Sequence, residues 1–164
     1  MDNTFLYRMP AGIAGAISRP QDLTVEPQTL DSTKAFAAYG LAGKFSAGKF
    51  VPIEAADTAS VVVGIYVRPY PTTNQPDKVR QIGSGYNFAG DCMKRGYVTV
   101  NLGADASAVT LGGAVFMRVA TPTASSPLGA FLAAADSTNT VQITNAYFNG
   151  PGDTNGNIEL AFNI

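Results

Sequence analysis

The last eight residues, Asn157-Ile-Glu-Leu-Ala-Phe-Asn-Ile164, put Ile158, Leu160, Phe162 and Ile164 on one side of an extended chain and Glu159, Ala161 and Asn163 on the other. A period of two is that of a half-buried β-strand. The run Ser60-Val-Val-Val-Gly-Ile-Tyr-Val-Arg68 is dense in β-branched residues and stops at Pro69, which predicts a central strand. Weaker strand patterns occupy 44–46, 49–53, 79–82, 96–102, 114–119, 129–133 and 140–148. Asp136-Ser-Thr-Asn139 and Asp153-Thr-Asn-Gly156 carry the turn chemistry of tight connections. Short strands separated by turns predict an all-β domain, a barrel or sandwich of short antiparallel strands.

The start of the chain reads differently. Residues 1–30 hold prolines at 10, 20 and 27 and glycines at 12 and 15, which rules out a long helix. They also carry Phe5, Leu6, Tyr7, Met9, Ile13, Ile17 and Leu23, side chains that a solvated linker does not need. The reading is an extended N-terminal arm over 1–30 and a β domain over 31–164. The arm's apolar residues bury either on the domain's own core or on a neighbour. Asp31 to Gly40 reads as a helical turn or two, or as a loop packed by Phe36 and Tyr39.

The residues argue against chemistry. There is no histidine, so the usual general base and the commonest metal ligand are missing. A single cysteine, Cys92, excludes thiolate zinc sites and an internal disulfide framework, and has no histidine to activate it. Gly43-Lys-Phe-Ser-Ala-Gly-Lys49 approximates a phosphate-binding loop, but Phe50 stands where Ser or Thr must hold magnesium, so a strand and turn are expected there. The Asp153 to Glu159 segment spaces oxygen ligands like a calcium loop, but its glycine and glutamate are misplaced, so a hairpin turn is expected. No catalytic residue, cofactor or metal is predicted.

Only 14% of residues are charged and the net charge is −1, which leaves no electrostatic footprint for nucleic acid. No apolar run reaches membrane-spanning length and no secretory signal is seen, so the expectation is a protein made and kept soluble in a cytoplasm. Residues 1–95 hold ten of the eleven basic and eight of the twelve acidic residues, leaving the remainder acidic. A neutral surface of small residues is easily desolvated and suits a protein that works against other proteins. Arg68-Pro69-Tyr70-Pro71 offers a stiff loop with two residue types enriched at binding hot spots.

Ala38-Tyr39-Gly40, Val63-Gly-Ile-Tyr-Val-Arg-Pro-Tyr-Pro71 and the ending Phe148-Asn-Gly150 with Asp153-Thr-Asn-Gly156-Asn-Ile-Glu159-Leu-Ala-Phe-Asn-Ile164 carry a resemblance. The chain resembles the structural cement, or capsid decoration, proteins of tailed bacteriophages. That resemblance implies a non-enzymatic protein on the outer capsid surface of the virion, assembled in the host cytoplasm. It implies that the chain binds the major capsid protein, stabilises the shell against internal DNA pressure, and forms a small homo-oligomer, a dimer or trimer. Rival readings are another virion part (a tail, head-fibre or adhesin module) and a carboxylate-dependent hydrolase. The expected contact residues are Phe5, Tyr7, Arg8 and Met9 in the arm, and Arg68 and Tyr70 in the loop.

Overall fold

The computed structural model describes residues 12–69 and 89–164. They form an all-β fold with nine strands: β1 Ile17–Thr29, β2 Ala42–Ser46, β3 Lys49–Pro52, β4 Gly64–Val67, β5 Ala89–Asn101, β6 Leu111–Arg118, β7 Phe131–Leu132, β8 Thr140–Asn149 and β9 Asn157–Phe162. The order across the sheet is β3-β2-β4-β5-β9-β8-β6-β7, with β1 also pairing with β5, and every strand pair is antiparallel. The sheet curls into a half-barrel. The 79–82 signal lies outside the described residues.

Part of the segment expected as an arm, Ile17–Thr29, is β1. Its prolines are accommodated because it pairs with β5 alone among the named strands, and because Pro20 lies in an irregular stretch between Arg19 and Thr24 where Asp22 has φ 57°. Ile17, Leu23 and also Val25 pack against the main core, so for Ile17 and Leu23 the own-core alternative holds. Leu23 fills the space beside Gly96, where a Cβ would lie 2.9 Å from Leu23 Cδ1. Around Gly96, β5 changes partners: Asp91 to Met93 pair with β4, and Gly96 to Asn101 with β9.

Two apolar clusters sit on opposite sides of the β4–β5 layer. Ile65, Val67 and Met93 face the larger one with Val98, Val115, Met117, Phe148, Ile158, Leu160 and Phe162. Tyr66 and Cys92 face the smaller one with Leu30, Phe36, Tyr39, Leu41 and Phe50. Residues 31–40 form no helix; they are a loop packed by Phe36 and Tyr39. Tyr66 stacks on both rings, at centroid distances of 4.4 Å to Phe36 and 4.8 Å to Tyr39. This loop turns the outer face of β4 into an interior, which is why all four residues of β4 are buried.

Candidate functional site

The positions with a chemical resemblance have structural occupations. Gly43 to Lys49 belongs to the β2–β3 hairpin, turned by Ala47 (φ 49°) and Gly48 (φ 75°), the left-handed pair that a two-residue hairpin turn requires. Asp153 accepts hydrogen bonds from Asn157 N (2.8 Å) and Nδ2 (3.1 Å), so its carboxylate closes the β8–β9 connection. Burial pushes the Cys92 thiol up to about 12, so it is protonated and unreactive at neutral pH. Among the described residues no group of three or more His, Cys, Asp or Glu side chains could hold a metal ion.

Arg68 directly follows β4, and the contacts described for it are internal. Its backbone N–H donates to Gly15 O (2.8 Å), its Nε donates to Ala14 O (2.9 Å), and its guanidinium lies 4.7 Å above the Tyr39 ring. Gly15 N donates to Thr99 O (2.7 Å) and Thr99 N donates to Ala16 O (2.9 Å), so the same segment is fixed to β5 from its other side. Only glycine suits position 15: φ is +81° and a Cβ would stand 2.4 Å from Tyr39 Cβ. Next to this junction lies an open groove of about 440 Å³. Ala14, Tyr39, Leu41, Thr123, Pro127 and Ala130 are among its lining residues, and none of the described residues that line it is charged.

A second surface was not visible as a motif. Register places Tyr97 opposite Ala161 and Ala161 opposite Tyr147, and the small alanine lets the two phenols meet. The hydrogen bond with Tyr97 is the main cause that raises the Tyr147 pKa. Arg19 lies 4.8 Å above the Tyr97 ring and grips Glu159 through Nε–Oε1 (3.0 Å) and Nη2–Oε2 (2.9 Å). Burial pushes Glu159 up, but hydrogen bonds led by Arg19 outweigh it and the net shift is downward. Sequence reasoning could not have found this patch, because its members are joined by strand register and not by spacing.

The family model for the XM1 gp53 minor capsid protein matches residues 1–162. The chain belongs to that family. A chain from the solved structure "The capsid of Myoviridae Phage XM1" has the same fold, with a TM-score of 0.67 and 17% identity over 99% of this chain and 97% of that one. No curated protein sequence matches. A member of this minor capsid family is a structural component of a bacteriophage virion, associated with the capsid shell. The expected kinship with capsid-associated phage proteins and the expected all-β fold both hold.

Of the contact residues expected in this minor capsid protein, Phe5, Tyr7, Arg8, Met9 and Tyr70 lie outside the described residues. Arg68 is described, half-buried, and engaged with Ala14, Gly15 and Tyr39.

Proposed function

We propose that this protein is a capsid decoration protein: it binds the outside of the major capsid protein lattice, acts without catalysis, and stiffens the shell against the pressure of packaged DNA. The observation that carries the reading is the match of a minor capsid family over almost the whole chain. The composition supports it, since a surface with few charges is cheap to desolvate against a protein lattice. Phe5, Tyr7, Arg8 and Met9 form the tether, with Tyr70 as a second contact. Many identical weak contacts on a fixed lattice add through multivalency, so each need not be strong. The protein assembles in the host cytoplasm and works as a dimer or trimer.

The test is cosedimentation of the purified protein with empty, expanded capsids, with full-length protein compared with a variant lacking residues 2–11. Full-length protein pellets with capsids and the shortened variant pellets less, while its melting temperature stays close to that of the parent. Full-length protein that remains in the supernatant at saturating capsid overturns the decoration reading.

A further inference from the structure

Gly12 to Ala16 has little apolar surface of its own, yet it holds a defined path. Small side chains cannot bind it there, and Ile13, its one large residue, is 50% exposed. Polar contacts therefore fix it. Two of these, with Thr99, come from the β5 backbone, and a third, from the backbone N–H of Arg68, needs no particular side chain. A further hydrogen bond, Arg68 Nε to Ala14 O, depends on one side chain. The guanidinium that makes it is itself aligned on the face of Tyr39, a buried ring stacked on Tyr66. From the core outward the order is Tyr66, Tyr39, Arg68, Ala14.

We propose that Arg68 is a positioning residue for the N-terminal segment: it fixes Ala14 and Gly15, which follow the proposed tether in the chain, and it does not itself touch the capsid. The inference rests on the reading of that segment as the tether. A segment whose root is already fixed loses less freedom on docking, which raises affinity without adding a contact. Lysine cannot replace arginine here. It lacks the planar fork that bonds a carbonyl and lies on a ring at the same time.

Capsid cosedimentation of four proteins tests it: parent, Arg68→Met, the variant lacking 2–11, and the combination, with Arg68→Lys as a fifth. Arg68→Met weakens binding about tenfold, as expected from the ordering of one or two side chains, and speeds hydrogen exchange at the Gly15 and Ala16 amides. In the background lacking 2–11 the same substitution changes binding no further. Arg68→Lys behaves like Arg68→Met. A further loss in the shortened background, or full rescue by lysine, means that the Arg68 charge meets the capsid directly and overturns the inference. So does unchanged binding of Arg68→Met beside weakened binding of the shortened variant; in that case the tether reading survives alone. Undiminished binding of the shortened variant removes the tether, and the inference with it.

Discussion

Arg118 shows how much a single buried cation can organise. It is the one basic side chain after residue 95, and it is buried at the end of β6. Its Nε donates to Ser126 Oγ (2.8 Å), while Nη1 reaches Asp136 Oδ2 (3.0 Å) and the carbonyls of Ala120 (3.4 Å) and Thr121 (3.3 Å). Thr121 sits at φ 48°, a conformation a β-branched residue adopts only when its surroundings hold it. Arg118→Met is expected to destabilise by about 2 kcal/mol, less than a fully buried pair would lose because Asp136 is exposed to water; denaturant unfolding measures it. Glu54 makes a different kind of pair. Hydrogen bonds from Lys34 and then Lys44 hold its carboxylate at about 2, below the ordinary 4.5. A folded pKa below the unfolded one adds stability above pH 4.5 that is lost as pH falls toward 2. Glu54→Gln should flatten that part of the stability–pH curve and leave the neutral range little changed. Neither role was legible: Arg118 stands in a strand pattern, and Glu54 in no pattern at all.

At the scale of elements, β4 makes the sharpest prediction. In a strand with one wet face, one of two adjacent residues tolerates truncation. In β4, Ile65 faces one cluster and Tyr66 the other. Both Ile65→Ala (about 2–5 kcal/mol) and Tyr66→Ala (about 3–5 kcal/mol) should therefore be severe. Near-wild-type melting of either would show that its side of the layer is not a core. Its second half was legible from a run rich in β-branched residues, because a run apolar on both faces has no alternation to lose; the first half of the expected 60–68 strand is instead a 3-10 turn over Ala59–Val61 and a short connection. β1 was legible as extended, but not as a strand of the sheet. Its prolines are the residues a sheet normally rejects, and only its position beside β5 with the irregular stretch at Pro20 makes them acceptable. The loop at 31–40 was left between helix and loop because Phe36 and Tyr39 declare burial without declaring a partner; the partner, Tyr66, is far along the chain.

For the whole molecule, two properties stand out. The first is topological. From β1 through β5, β4 and β2 to β3, each neighbour reverses direction. Five alternating strands leave the first and last running the same way, so any contact that joins them is parallel. The bridge from Leu30 to Phe50 is parallel, and it brings the end of β1 back to β3. Turn chemistry showed where strands stop but not which strands meet, since pairing over long separations is set by packing and not by local sequence. The second is electrostatic. Arg19, Lys34, Lys44, Lys49, Lys94, Arg95 and Arg118 each lie within ion-pair distance of an acid of the same chain. Charges satisfied internally contribute little to a partner, so capsid association should persist near 1 M salt, where the screening length is about 3 Å. A steep loss of cosedimentation with salt would instead place exposed charge at the interface.

The fixing of Gly15 and Ala16 also has a mechanical meaning. Force applied through the first residues reaches the domain at two places at once, Thr99 in β5 and Arg68 directly after β4. Those strands are neighbours in the interior of the sheet, not its margin. A pull on the chain's beginning is therefore shared between two load-bearing members before β1 can be peeled away. Under the proposed tether, a shell that swells under its contents would load β4 and β5 before β1.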